Sequence, residues 1–355
     1  MIRLVLDHLR GRARVCAMIA PVMMLLEVLM DLQQPALMAR IIDVGVAHRD
    51  LACILHTGFW MVATALAGFV GGAACSLFAA RAAVDMSGRM RRGLFEKIQG
   101  LSFAELDRFK TSSLVTRLTN DVMQMQTMVL MMLRIMVRSP LTLVGSIVMS
   151  FMISPRLALV FGIALPVVAA GIILVLAASV PLFSQVQGHL DRMNTIMRES
   201  LLGVRVVKVF ALEGTQAGRF STANEGFTDR SIQAQKLTFL LLPGVMLVMN
   251  LSVVAVLWFG GNMVFAGRLA VGQVMALVNY LVQITFALMM AANIVVTISR
   301  AQASSARIRE VLEAEPALTE PREPRTPASD DVAFQDVSFT YGGSETPVLQ
   351  HLSFT

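Results

Sequence analysis

Residues 237–267, LTFLLLPGVMLVMNLSVVAVLWFGGNMVFAG, hold no Asp, Glu, Lys or Arg. Arg268 follows, and residues 269–299, LAVGQVMALVNYLVQITFALMMAANIVVTIS, are again free of those four types. A helix crosses the ~30 Å apolar layer of a bilayer in about 20 residues. Each stretch is therefore long enough to span, and the lone arginine marks a tight turn between two antiparallel spans. Working outward, residues 51–80, 139–155 and 157–190 are also uncharged, and residues 15–39 are interrupted only by Glu27 and Asp31. Six spans result, the third beginning upstream of Ser139 and including Arg138. Composition agrees: 55% of residues are hydrophobic and only 15% charged, whereas a soluble domain carries about a quarter charged residues. The expected class is an all-α polytopic membrane protein.

The connections alternate in length and charge. Those near 44–50, 154–156 and 267–270 are short, each with one arginine: Arg49, Arg156 and Arg268. Those over 81–138 and 191–236 are long and basic, and the amino terminus adds Arg3, Arg10, Arg12 and Arg14. Basic residues accumulate on the cytoplasmic side of a membrane, so both termini and both long connections are expected there. Arg40, near the outer end of the first span, is the exception. This one-sided placement accounts for the net charge of +6 without nucleic acid. No short apolar segment with a small-residue cleavage site precedes the first span, so no signal peptide is expected. Cys16, Cys53 and Cys75 lie far apart in apolar stretches, without metal-ligand spacing, and read as small hydrophobes.

The long connections keep helical periodicity up to Thr111-Ser112-Ser113 in one and residues 214–218 in the other. Each is expected to be a helical hairpin projecting beyond the membrane, with a short transverse helix at its tip. At the first tip Ser112 or Ser113 is placed to cap that helix, and Leu114, Val115 and Leu118 to form its apolar face. The second tip is expected around residues 213–220, with Phe220 as an anchor. Isolated leucines at such a tip call for something to cover them.

The end of the chain changes character. Residues 313–329 contain Pro316, Pro321, Pro324 and Pro327 and read as an extended linker. Residues 330–355 then read as two strands and a turn: Val332, Phe334, Val337 and Phe339 lead into Tyr341 and Gly342-Gly343, and Val348-Leu349-Gln350-His351-Leu352 follows Pro347.

Six spans, short outer loops and two long hairpins together resemble the type IV exporter fold of ABC transporters. The segment from Ser112 through Thr116, Arg117 and Asn120 to Asp121 is similar to that family's first coupling helix and the start of its third span. Residues 198–210, RESLLGVRVVKVF, resemble the lead into its second coupling helix. Phe334 to Tyr341, then Pro347 to Phe354, resemble the opening strands of its nucleotide-binding domain. The resemblance covers essentially the whole chain, and within the family is strongest to one half of the heterodimeric multidrug exporters. It implies a transmembrane domain over 1–312, the linker, and the beginning of a nucleotide-binding domain over 330–355. It also implies use of ATP and Mg, Tyr341 stacked on adenine, and a second half-transporter, identical or not, as partner. Nowhere does G-x-x-x-x-G-K-[ST] occur, and no Gly-Lys dipeptide is present. A phosphate-cradling loop is thus missing, as are the family's catalytic and Mg-binding carboxylates downstream. The expectation is a truncated subunit that hydrolyses no ATP alone, with no catalytic and no metal-binding residue of its own.

The last span presents one mixed face. Asn279, Gln283, Phe286, Met290, Asn293 and Thr297 recur at alternating intervals of four and three, within about 40° of one direction. Amide, aromatic and thioether groups together suit a bundle interior or a cavity rather than lipid; ordinary helix packing sealed by amides is the plainer alternative. On the opposite side Ala276, Val278, Leu281, Ile284 and Leu288 suit lipid or core. Glu27 and Asp31 share a face of the first span, and Arg134 and Arg138 are a turn apart on the third. Counted at ~1.5 Å per residue, Glu27 and Arg138 reach similar depth. Either they pair within a cavity that includes Asp31, or the arginines reach out to the headgroups.

The reading is one transmembrane half of an ATP-driven exporter of hydrophobic or amphipathic small molecules, multidrug in type. Lipid flipping on the same fold is one alternative. A motor-less membrane scaffold that binds a partner is another.

Overall fold

The structure, a computed structural model, describes residues 1–314, 331–340 and 347–355, apart from the side chains at 104, 107, 292, 293, 295 and 296. A short helix α1 (Ile2–His8) precedes α2 (Arg12–Arg40), which runs on through a π-helical turn, Ile41–Val46. Then come α3 (Leu51–Gln99), α4 (Phe103–Phe109), α5 (Thr111–Thr116), a second π-helical turn (Arg117–Asp121), α6 (Val122–Ile153) and α7 (Pro155–Leu202). The chain continues through α8 (Val204–Val209), α9 (Glu213–Phe239), α10 (Leu241–Phe265) and α11 (Val271–Leu312), and closes on β1 (Phe334–Phe339) and β2 (Leu349–Phe354). Among the described residues six helical segments are long and apolar enough to span a membrane: Arg12–Val46, Leu51–Gln99, Thr111–Ile153, Pro155–Leu202, Glu213–Phe265 and Val271–Ala291. The protein is a multi-pass membrane protein. Several segments far exceed the length a bilayer needs; at 1.5 Å per residue, the 49 residues of α3 extend about 70 Å.

Breakers set the boundaries. Pro155 opens α7 at a first-turn position, where its missing N–H costs nothing, and the Ser154 hydroxyl accepts from the Leu157 amide. Gly203 ends α7. Arg49 and Gly267, both with φ in the left-handed region, turn the chain between α2 and α3 and between α10 and α11.

The chain divides into two compact units. One holds residues 18–78 and 131–296. Its core joins Leu157, Phe161, Val256, Val274, Leu277, Leu281 and Ile284, with a smaller cluster of Val168, Ile172 and Val245. The face of α11 carrying Ala276, Leu281 and Ile284 is therefore core, not lipid surface. Tyr280, fully buried, donates its hydroxyl to the Leu32 carbonyl at 2.7 Å and ties α11 to α2. Near the other end of α11's contact with the first span, the Gly272 amide donates to Asp43 at 2.5 Å. Between α2 and α3 the backbones come close. A Cβ at Gly71 would lie 3.0 Å from the Met23 carbonyl oxygen and 3.2 Å from the Glu27 nitrogen. Glycine is what permits this approach.

The other unit holds residues 1–17, 79–130 and 297–355. Buried Met86, Met90, Leu94, Met125 and Met128 and the buried Ile308 and Val311 supply its apolar interior. Polar groups are also buried here. Ser87 donates to Gln126 at 2.8 Å. Arg117 donates to the Arg307 carbonyl at 2.7 Å and to Glu310 at 2.8 Å, and lies 5.0 Å over the Phe109 ring.

The two strands pair antiparallel, Phe334 opposite Phe354, Val337 opposite Leu352 and Phe339 opposite Leu349. The intervals differ, so each strand bulges once. A residue with left-handed φ sits in each bulge, Asp336 in β1 and His351 in β2. Their side chains meet across the pair at 2.7 Å. The bulge explains why Phe334 and Val337, which break strict alternation in the sequence, both find cross-strand partners.

Candidate functional site

Glu27 and Asp31 lie one turn apart on α2, with Gln34 a turn further. Arg138 comes from α6 and reaches both carboxylates, Nη1 to Glu27 and Nη2 to Asp31, the latter at 2.9 Å. Of the two readings left open by the sequence, Glu27 and Arg138 at matching depth are paired. A charge in the apolar layer is tolerated when paired and hydrogen-bonded. The Glu27 side chain, 14% exposed, packs on Gly71 and Gly72 of α3; Arg138 and Asp31 are 37% and 44% exposed. They open onto a cavity of about 500 Å³ lined by Asp31, Gln34, Arg138, Ser139, Thr142, Val282, Gln283, Phe286, Ala287 and Met290. That volume lies within the range of small-molecule sites.

Polar bonds fix the walls. Ser139 donates to the Ala287 carbonyl at 2.6 Å and Ser146 to the Gln283 amide oxygen at 3.2 Å, holding α6 against α11. The Gln34 amide nitrogen donates to the Met61 carbonyl at 3.0 Å and to Thr64 at 2.9 Å, holding α2 against α3.

Of the residues expected on the α11 face, Gln283, Phe286 and Met290 line this cavity together with Asp31 and Arg138. Asn279 does not: it is exposed and its amide donates to the Met275 carbonyl of its own helix at 3.0 Å. Thr297 falls in the other unit, and the Asn293 side chain lies outside the described residues. Ser139 and Thr142 escaped the sequence reading. Their signal was their place beside and one turn beyond Arg138, hidden because a hydroxyl in an apolar helix more often bonds back to its own backbone.

The hairpin tips require two corrections. At the first, Ser113 does not cap the transverse helix. Lys110, with φ 55°, stands at the corner as the N-cap of α5, and Ser113 lies inside that helix. The capping box belongs to the preceding helix, α4, where Ser102 and Glu105 satisfy each other's ends. Leu114 is buried, Leu118 half-buried and Val115 exposed. At the second tip the short helix is α8, Val204–Val209, and not residues 213–220. Gly203 has already broken the chain, and Glu213, paired with Lys208 at 3.0 Å, opens the long α9. An acidic residue in a first helical turn complements the helix dipole. Phe220, inside α9, lines a groove of about 410 Å³ with Met197, Leu201, Val204 and Val207.

Tyr341 and most of the 313–329 linker lie outside the described residues. Among the described residues there is no phosphate-cradling loop and no group of three His, Cys, Asp or Glu able to hold a metal.

Comparison with known proteins agrees with this architecture. The family model for the ABC transporter transmembrane region matches residues 17–288. An uncharacterized ABC transporter ATP-binding protein of Bacillus subtilis, YfiB, is 36% identical over 337 residues, 95% of this chain and 59% of the relative. An uncharacterized ABC transporter ATP-binding protein of Mycobacterium tuberculosis is 32% identical over 358 residues, 100% of this chain and 61% of the relative. A fatty acid ABC transporter ATP-binding/permease protein of M. tuberculosis is 30% identical over 266 residues, 75% of this chain and 42% of the relative. The chain thus spans about three fifths of the length of the first two. Six spanning helices and this match over most of its length assign the chain to the ABC transporter transmembrane-region family.

Proposed function

We propose that the chain forms one transmembrane half of an ATP-driven exporter of hydrophobic or amphipathic small molecules, multidrug in type. It sits in a bacterial inner membrane with both termini in the cytoplasm, the orientation favoured by the basic connections 81–138 and 191–236. The observation that carries this reading is the cavity. A bundle that served only as an anchor would have no use for Asp31, Arg138 and Gln283 opening beside Phe286 and Met290 onto a void of about 500 Å³. Thioether and aromatic groups adapt to varied apolar ligands.

A second half-transporter, different or identical, would complete the assembly. When bound, ATP with Mg supplies the free energy, at a nucleotide-binding domain whose first strands β1 and β2 resemble. In this reading the residues of this chain enclose the ligand, exclude water from it and receive motion at the tips. Leu201, Leu202, Val209 and Phe210 are exposed at the second tip; apolar groups so placed suit a docking surface. The relative named for fatty acids favours a second reading, lipid movement on the same fold.

The test is single-cysteine labelling in a background lacking Cys16, Cys53 and Cys75, with a small water-soluble thiol reagent. Gln283→Cys, Phe286→Cys and Met290→Cys should react, and transported substrate should protect them. Leu281→Cys, in the core, should not react. If the first three stay unreactive in every nucleotide state while Leu281→Cys reacts, the cavity is not the substrate path.

A further inference from the structure

We infer that the groove between α7 and α9, in the second long hairpin, is a binding site for a soluble phosphate-bearing anion, held by Arg192 and His189 from one helix and Arg219 from the other. The site is separate from the cavity among α2, α6 and α11.

His189 meets Gly226 and Glu199 meets Arg219, so the two helices run antiparallel. Between their facing sides lies a space of about 640 Å³, lined chiefly by His189, Arg192, Thr195, Glu199, Arg219 and Thr222. That volume is in the range of small-molecule sites. Gly226 makes room for the imidazole, since a Cβ there would lie 3.1 Å from His189 Nδ1.

The cationic donors of this groove are uncommitted. Neither Arg192 nor His189 has a hydrogen-bond or ion-pair partner among the described residues. Arg219 meets Glu199 at 3.5 Å, with both side chains about half exposed. So loose a pair contributes little and can exchange for another anion. Thr195 and Thr222 donate their hydroxyls to the Asp191 and Gly218 carbonyls of their own helices, which leaves recognition to the cations.

The surrounding charges do not cancel this. Two arginines line the groove against the single carboxylate of Glu199. Asp191, Arg198 and Glu225 stand about 100° or more around their helices from the lining faces. Asp191 receives the Gln187 amide and Glu225 the Ser221 hydroxyl. One turn nearer the spans, Arg230 donates to Gln233 and adjoins Asp229. Lys208 and Glu213 pair with each other at the tip. Over residues 185–236 seven Arg and Lys stand against five Asp and Glu, so no surplus of carboxylates surrounds the site.

A phosphate group suits this arrangement better than a carboxylate. Its terminal oxygens can meet Arg192, His189 and Arg219 together, and a guanidinium fork matches phosphate geometry. Position along the helix favours a soluble source over a lipid headgroup. From Pro155, where α7 opens, to Arg192 the helix runs about 55 Å, whereas a bilayer with both headgroup layers measures about 40–45 Å. The groove lies clear of the bilayer, in the cytoplasm under the orientation proposed above.

The probe is inorganic phosphate, titrated by calorimetry into the purified chain in nanodiscs of zwitterionic phosphatidylcholine. At about 0.15 M salt general surface attraction is screened beyond about 8 Å. Binding should be saturable. Arg192→Gln should weaken it at least about tenfold, and Arg192→Lys should restore part of the loss. Glu199→Gln, which releases Arg219, should tighten binding about threefold or more, a gain that a misfolded variant would not give. Arg156→Gln removes the same charge from the far end of α7 and should leave affinity unchanged.

Absence of saturable binding overturns the inference, as does an Arg192→Gln variant that binds like the parent. It is equally overturned if Glu199→Gln fails to tighten binding, or if Arg156→Gln weakens it as much as Arg192→Gln does, because attraction would then be diffuse. Loss of phosphate binding when phosphatidylglycerol replaces phosphatidylcholine would assign the groove to a lipid headgroup and overturn the soluble source. None of these outcomes bears on the cavity among α2, α6 and α11, which cysteine labelling tests separately.

Discussion

Arg307 closes over Asp121 from the last helix. Its Nε lies 2.8 Å from one carboxylate oxygen, its Nη2 is bonded to the other, and Ser304 adds a third donor at 2.9 Å. Asp121 is wholly buried at the end of the second π-helical turn, whereas the Arg307 side chain is 47% exposed. Arg307→Ala would leave a buried carboxylate with only Ser304. Stability should fall by about 1–3 kcal/mol, less than for a fully buried pair because Arg307 is partly in water. Thermal unfolding in detergent, compared with Arg309→Ala on the same helix, measures this. The hydrogen bond to Asp121 raises the Arg307 pKa above its ordinary value. A raised folded pKa means that its contribution is complete below the ordinary arginine range and is lost only above it. Unfolding midpoints between pH 6 and 9 should show no step from this group.

Gly71 is where α2 and α3 touch. Gly71→Ala should cost about 1–3 kcal/mol through overpacking, because the obstructing atoms are backbone and cannot rotate away. Gly58 lies on the same helix with nothing within 4 Å of its would-be Cβ, and Gly58→Ala should be neutral or stabilising. Equal destabilisation by the two variants would contradict the close approach.

The cap at the first tip discriminates between sequence and structure. Ser102→Ala should destabilise by about 1 kcal/mol, while Ser113→Ala, inside α5, should stay within a few tenths. Hydrogen exchange across residues 100–118 reports both, and the reverse ranking would restore Ser113 as the cap.

Tyr341 is tested at the level of the assembled transporter. If it stacks on adenine, Tyr341→Ala should weaken nucleotide binding by about 1–3 kcal/mol, as aromatic–base contacts do elsewhere. Unchanged nucleotide affinity would remove it from the site.

Burial separates what was legible on α11 from what was not. Gln283, Phe286 and Met290 were readable as one face because helical period is a property of the helix alone. Asn279 obeys the same period yet bonds its own backbone, because the other walls, α2 and α6, stand opposite only part of the face. The second tip was misplaced, at 213–220 instead of Val204–Val209, for a related reason. The sequence around Gly203, Ala211 and Gly214 offers several breaks, and only the packing of α7 on α9 selects Val204–Val209 as the short helix.

What the sequence by itself determined is the count of spans, their connections and the charge asymmetry between the two sets of loops. Each depends on the length of uncharged stretches and on where arginines interrupt them, which are local properties of the chain in a medium about 30 Å thick. What only the tertiary structure decided is which of those helices meet, and by which faces. Glu27 and Arg138 matched in depth along the chain, but depth does not specify rotation about the helix axis. That rotation follows from the glycine contacts of α2 with α3, the hydroxyl of Tyr280 on Leu32 and the bonds of Ser139 and Ser146 to α11. These interactions between distant residues turn Arg138 toward two carboxylates and leave Asp31 facing the cavity.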